Sequence, residues 1–390
     1  MKVLLLARIK SINGTATVLS RLADGLISEG HEVYFLKLDS TRSLIEGFSS
    51  NVEKLDLKHF LKLRNEFDSI FCFTDEMLWL ALFFKRFINK AKIFGVVFHP
   101  RQYISSDQGL ILGGIYKNFF VKYLSNNLSS LVFMNDACLK SHEEHYGFNF
   151  DSSQIIPIAT HAQDASVRLD VWPGNLCKII SIGRLVDFKF YHEALINDLV
   201  VLRDRGCNFE YHIYGDGPLE SHLVDILEAN SLNDFVFYHG VLDYSRLAEV
   251  VDDCTIFVGQ GASLVFAASR ARPCLMAIES ESNALTYGFC GDEFKGLGVG
   301  EKNEKYTAVK IASKIESIIL NSDKYETLGK AAYEYSRAFS QEQVARQYLD
   351  LARHGSGIGS VFSVLDTIKY LAARCATTII RILFGVGSHK

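Results

Sequence analysis

Three short stretches of the chain combine side chains and glycines that could handle an anionic ligand. In Ile182-Gly183-Arg184-Leu185 an arginine follows an apolar run, and Lys189 stands five residues further on. A guanidinium offers a planar fork and an ammonium a point charge. The pair suits a diphosphate, and equally suits a solvated surface. Tyr214-Gly215-Asp216-Gly217-Pro218-Leu219 ends a second apolar run in a glycine turn. The third stretch, residues 254–282, reads as a strand, a turn through Gly259-Gln260-Gly261, and a helix of small residues starting at Ala262 and Ser263. Pro273 stops that helix and another strand follows. A helix N-terminus behind a glycine turn presents unpaired N–H groups and the positive end of the helix dipole, the geometry that holds an anion. The same pattern also serves as a plain strand–helix connection.

These stretches need a sheet to hold them, and the hydrophobic pattern supplies one. From residue 178 onward, apolar runs at 178–182, 210–214, 235–239, 255–258 and 274–278 alternate with helix-period segments at 191–205, 219–230 and 244–251. Further helices are expected at 308–320, 325–338 and 341–352, closing this half. The first half repeats the scheme: strands at 2–7, 32–38, 69–73, 92–98, 130–134 and 155–158, with helices at 16–29, 75–89, 110–127 and 137–146. Alternating strands and helices imply parallel sheets covered on both faces, and ligands of such sheets sit at the carboxyl ends of the strands. All three stretches fall there. In the first half the same edge carries a loop with Gly14 and, after the fourth strand-like run, His99 in Val97-Phe98-His99-Pro100-Arg101. The expected domains are 1–160 and 176–338, joined by a polar linker at 161–175 that ends in Trp172-Pro173-Gly174. A closing helix at 339–354 follows, and then a glycine linker with a tail helix at 355–390.

Composition narrows the function. The chain has 390 residues, enough for two α/β domains, and its 48% hydrophobic content supports buried cores. A net charge of −4 argues against a nucleic-acid partner. Eight cysteines without a Cys-x-x-Cys pair read as buried thiols of a reducing compartment, and no metal-ligand spacing appears. The N-terminus runs from a strand into a loop and helix rather than a leader, and no apolar window is long enough to span a bilayer. The tail from Val361 to Phe384 has helix length and segregates Asp366, Lys369, Arg374 and Arg381 from Phe362, Leu365, Ile368, Ile379 and Leu383. Such a helix suits a membrane interface, a second copy, or the protein's own surface. Aromatic and basic clusters at Phe83-Phe84-Lys85-Arg86-Phe87 and at 116–122 could face anionic lipid or simply line helix surfaces.

Taken together, Gly183-Arg184-Leu185 with Lys189, the Tyr214–Leu219 turn, Phe237-Tyr238-His239-Gly240, the Gly-x-Gly-x-Ser helix start and Arg272-Pro273 resemble the C-terminal half of the family 4 glycosyltransferases. Gly30-His31-Glu32-Val33 and the Gly14 loop agree in the N-terminal half, so the resemblance covers about residues 1 to 353. It implies a GT-B fold, with two Rossmann-like doubly wound domains facing a cleft, and a retaining, metal-independent transfer with no cofactor beyond the nucleotide-sugar donor. It also implies that Arg184 and Lys189 neutralise the leaving diphosphate, with His99 touching the transferred sugar. Gly14, Gly183, Gly215, Asp216, Gly217, Gly261, Ala262 and Ser263 would line the donor site. The expected acceptor is a lipid-linked glycan or polysaccharide, and the expected location is the cytoplasmic side, peripheral on the inner face of the membrane. One departure stands out. The family's ribose-binding glutamate falls at Phe266, and an earlier acidic position falls at Val258. Phenylalanine accepts no hydrogen bond from a hydroxyl. A silent subunit that positions a partner glycosyltransferase is therefore the second expectation, and a sugar-nucleotide epimerase the third.

Overall fold

The apolar runs assemble into two separate sheets in the computed structural model, which describes residues 1–7, 14–36, 51–88, 90–104, 113–151, 154–161, 172, 174, 176–189, 191–229, 232 and 234–372. The first sheet contains β1 (Lys2–Leu6), β2 (Glu32–Leu36), β3 (Glu53–Leu55), β4 (Ser69–Cys72), β5 (Lys92–Val97) and β6 (Leu131–Phe133). Its order is β3-β2-β1-β4-β5-β6 and every pairing is parallel. Continuous apolar runs such as Val3 to Leu6 and Ile70 to Cys72 are buried throughout, as strands with both faces covered must be.

The second sheet contains β7 (Cys177–Ile182), β8 (Phe209–Tyr214), β9 (Val236–Tyr238), β10 (Ile256–Gly259), β11 (Cys274–Ala277), β12 (Leu285–Phe289) and β13 (Val309–Lys310). They run in the order β13-β12-β11-β10-β7-β8-β9. The last two strands in sequence are antiparallel, the rest parallel. In each sheet the chain lays three strands outward in one direction, then returns to the starting strand's other side. The order therefore reverses between β1 and β4 in one sheet and between β7 and β10 in the other, the switch points at which doubly wound sheets open a crevice. The fold expectation of two Rossmann-like domains holds.

Several elements differ from expectation. β3 was not anticipated, nor was the helix Leu57–Leu63, because Glu53-Lys54-Leu55 is a short edge strand with two exposed charged residues and no apolar run to reveal it. Residues 155–158 contribute only an isolated bridge of Ile155 to Phe133, not a strand. β12 and β13 extend the second sheet beyond the anticipated five strands. The linker at 161–175 lies mostly outside the described residues. The helix Gln341–His354 does not close the second domain. The two compact units are Met1–Ala159 with Gln341–Lys390, and Thr160–Ser340. Val344, Ala345, Tyr348, Leu349 and Ala352 of that helix complete the core of the first unit beside Leu19, Leu22 and Leu26 of the helix Gly14–Ser28. Gly25 permits the contact, since a Cβ there would lie 2.2 Å from the Gln341 carbonyl oxygen. Arg346 donates to Glu29 at 2.8 Å at its rim.

The tail also departs from expectation. Residues 355–363 are no free linker. Ile358 and Phe362 are buried, and the Ile358 N–H donates to Ile93 at 2.7 Å. The Lys85 ammonium donates to the Ile358 carbonyl, and Arg86 to that of Phe362. The Phe362 ring sits among Trp79, Phe119, Tyr123 and Tyr370, with centroids 4.9–6.3 Å away. Residues 364–372 are helical, and Ser363 caps them: its hydroxyl accepts from the Asp366 N–H at 3.0 Å and donates back to the Asp366 carboxylate at 2.8 Å. The rest of the expected tail helix, from Ala373 on, lies outside the described residues. Among the described residues no helix is long and apolar enough to cross a membrane. Of the described cysteines, Cys207 is half-buried and the others are buried, all as free thiols.

Gly25→Ala tests the placement of the helix Gln341–His354. In a free helix surface the change stabilises by up to ~1 kcal/mol. Against the Gln341 carbonyl it is expected to lower stability by about 1–3 kcal/mol, read by urea unfolding. A gain in stability would show that the two helices do not meet there.

Candidate functional site

At the switch point of the second sheet, the segments following β7, β8 and β10 come together. The turn after β7 and the turn after β8 pack backbone to backbone. Gly183 N–H donates to Tyr214 at 3.0 Å, and Leu185 N–H to the Asp216 carbonyl at 2.8 Å. Leu219 N–H returns to Leu185 at 3.1 Å. Gly215 and Gly217 have φ of +144° and +150°, and a Cβ on them would lie 1.8 Å from the Gly183 oxygen and 2.2 Å from the Leu185 oxygen. No other residue fits. Their role is thus to let two loops touch, which leaves Arg184 exposed at the loop crest. Asp216 contributes its carbonyl to the same zipper.

Lys189 closes the β7 loop. Its N–H donates to Val186 at 2.8 Å, and its ammonium lies back toward Gly183 and 5.8 Å from the Phe188 ring centroid. Desolvation pushes its pKa down; Arg184 adds to the fall, while the fields of Glu279 and Glu301 oppose it. A cation held with incomplete solvation and few fixed partners is poised to gain from an arriving anion. The helix Gly261–Ser269 starts on the neighbouring strand. The Ser263 hydroxyl donates to Ile182 at 2.7 Å, tying this helix start to the end of β7. Gly261, at φ +69°, gives its N–H to Val299 at 2.6 Å. The amides of Ala262 and Ser263 follow in the first turn, where a helix leaves its N–H groups without internal partners. Gln260, buried just before the helix, has no partner for its Nε2 among the described residues, and Gly300 packs against it.

Beneath this edge runs a buried polar chain that the sequence reading missed. His192 Nδ1 meets the Tyr211 hydroxyl at 2.8 Å, that hydroxyl meets Ser181 at 2.9 Å, and Ser181 donates to the Val258 carbonyl at 2.7 Å. A tyrosine on the inward side of β8, between Phe209 and Ile213, was the available signal, because a buried phenol needs a partner. Burial, and then the Lys189 charge, lower the His192 pKa to about 3. Val258 itself is a core residue of β10, and Phe266 sits half-buried in the second half of the helix Gly261–Ser269. Neither position supplies a carboxylate.

The remaining candidates belong to the other unit. His99 is exposed after β5, its Nδ1 accepts from the Arg101 N–H at 3.0 Å, and desolvation followed by the Arg101 charge lowers its pKa. Gln102 fixes that loop: it accepts from Phe98 N–H at 2.7 Å and donates to Val96 at 2.8 Å. The buried His142 holds the Gln102 carbonyl at 2.7 Å. Gly14 is the first residue of the helix that follows β1. Among the described residues no group of three or more His, Cys, Asp or Glu side chains could hold a metal ion.

His192 gives a pH signature. An imidazole titrates near 6.5 when unfolded. The unfolded chain therefore takes up this proton first as pH falls. The stability from a neutral His192 is complete above pH 6.5 and is lost as pH drops toward 3, by up to about 1.4 kcal/mol per pH unit. Urea midpoints of the wild type should fall more steeply than those of His192→Gln in this window. Parallel slopes would show that His192 is protonated in the folded protein.

No model of a known protein family matches the chain. A curated relative, the putative colanic acid biosynthesis glycosyltransferase WcaL of Escherichia coli strain K12, is 33% identical over 86 residues. That match spans 22% of this chain and about a fifth, 21%, of the relative's length. Solved structures align over much more. Anabaena Alr3699/HepE in complex with UDP superposes with a TM-score of 0.63 at 14% identity, over 90% of this chain and 100% of that one. A point mutant of S. aureus TarM in complex with Fondaparinux, alpha-GlcNAc-glycerol and UDP gives 0.59 at 12% identity, over 90% and 99%. Two Rossmann-like domains, aligned with these structures along nearly whole chains, give this protein the GT-B fold.

Proposed function

We propose that this protein is a retaining, metal-independent glycosyltransferase. It would move a sugar from a nucleotide-sugar donor to a lipid-linked or polysaccharide acceptor, working peripherally on the inner face of a membrane. The observation that carries the reading is the position of Arg184 and Lys189, at the switch point of the second sheet beside the start of the helix Gly261–Ser269. Charge builds on a diphosphate as its bond to the sugar breaks. A guanidinium fork, a desolvated ammonium and first-turn amides stabilise that charge more as it grows, so they act on the transition state. The GT-B protein HepE has been solved with UDP and with UDP-glucose, which favours a donor of that class here. His99, on the other domain, is assigned to the transferred sugar.

A second reading is favoured by Val258 and Phe266. With a core valine and a phenylalanine at the two positions expected to be acidic, the chain would serve as a silent subunit that positions an active partner.

Thermal unfolding with UDP, GDP, ADP, CMP and TDP separates the two. A nucleotide at about a hundred times its dissociation constant stabilises the fold by about 2.7 kcal/mol, a clear rise in Tm. One nucleotide should give the rise, and Arg184→Ala should abolish it while the ligand-free Tm stays unchanged. In turnover, Arg184→Ala is expected to cost on the order of 10²–10³ in kcat/KM. No shift with any nucleotide would sink the transferase reading in favour of the silent subunit.

A further inference from the structure

The charged residues of the tail's described part divide: Lys369 is exposed and Asp366 is turned inward. Asp366 is buried, held by Lys122 at 2.5 Å, by the Tyr123 hydroxyl and by Ser363. Those bonds, that of Lys122 first, hold its pKa down to about 2. The clamp and the buried rings of Phe362 and Tyr370 fix the helix's rotation, and five other apolar residues are left outside. Val361, Val364, Leu365, Ile368 and Leu371 are each between 43% and 62% exposed. Their spacing makes one continuous stripe. Phe87 and Val121, next in sequence to Arg86 and Lys122 that grip the tail, are exposed as well.

We propose that this stripe is a preformed contact with an anionic phospholipid surface, carried by the first domain. The proposal rests on the peripheral-membrane part of the reading above and gives it an address. Charge selects the occupant. Lys117 and Lys369 are exposed and Arg86 is half-buried on the stripe's own element or the segments gripping it, while Lys122 is paired with the tail's carboxylate and Lys85 turns in to the Ile358 carbonyl. A second copy docked by a two-fold axis would set these cations against themselves. Residues 373–390 carry Arg374, Arg381 and Lys390 and no acid, so they add to the same sign rather than neutralising it. Exposed apolar side chains with an excess of cations on the same segments match a bilayer interface with anionic headgroups.

The test uses the full-length protein and sedimentation with vesicles of phosphatidylcholine alone or mixed with phosphatidylglycerol. Binding should require phosphatidylglycerol and weaken as salt rises. Leu365→Glu with Ile368→Glu should reduce binding by about tenfold or more, with Tm unchanged because both side chains are exposed. Lys117→Gln with Lys369→Gln should lower it severalfold while leaving the stripe intact. Wild-type affinity in the Leu365/Ile368 variant would overturn the proposal, as would a wild type that ignores both vesicles. So would a dimer in solution that the variant dissociates, which would assign the stripe to a second copy. The nucleotide-induced rise in Tm, measured on the same variants, reports the transferase reading separately.

Discussion

The candidate site depends on one close approach, the contact of the turn after β7 with the turn after β8. Gly215 and Gly217 lie so near the carbonyls of Gly183 and Leu185 that a single methyl group would separate the loops. Two backbone segments at that distance exchange hydrogen bonds instead of side-chain contacts, and the geometry leaves little freedom. Arg184 is held at the crest of one of these loops, and Lys189 closes it. The start of the helix Gly261–Ser269 is tied to the same place through Ser263 and Ile182. Below, the chain from His192 through Tyr211 and Ser181 to Val258 links β7, β8 and β10 with polar bonds inside an apolar core. Fully partnered networks of this kind fix register across strands.

Much of this was legible in the sequence, for physical reasons that differ by element. β1, β4 and β10 are buried on both faces, so their residues form nearly continuous apolar runs that announce strands. The glycine turns were legible because only glycine meets their backbone demands. What makes that demand at Gly215 and Gly217, the carbonyls of Gly183 and Leu185, was not legible, since it comes from a loop about 30 positions earlier. The short edge strand β3 left no pattern, since an exposed edge needs no apolar face. Tyr211 hid among apolar neighbours, and its hydroxyl partners come from residues 19 and 30 positions away.

The tail shows where periodicity is silent. An amphipathic pattern states that two faces differ, but not which face turns inward. Here three independent pieces decide: an aromatic box made by Trp79, Phe119, Tyr123 and Tyr370, a lysine placed to meet Asp366, and Gly357, whose φ of +71° lets the chain pass against Lys92. Apart from Gly357 and Tyr370, the residues involved lie more than 200 positions upstream of the tail. Phe362 and Asp366, which the segregated pattern sets apart, are buried together.

The helix Gln341–His354 has a consequence for how the protein is made. It completes the first domain's core beside the helix Gly14–Ser28, and Arg346 meets Glu29 across 317 positions of sequence. During synthesis the ribosome must deliver the whole second domain before that core can close. The nascent first domain therefore waits with the apolar faces of Leu19, Leu22 and Leu26 uncovered, while the second domain has all its strands in hand and folds as a local unit. The domain that emerges first is thus the one that finishes last, and the interval between the two is its period of greatest exposure to aggregation and to chaperones.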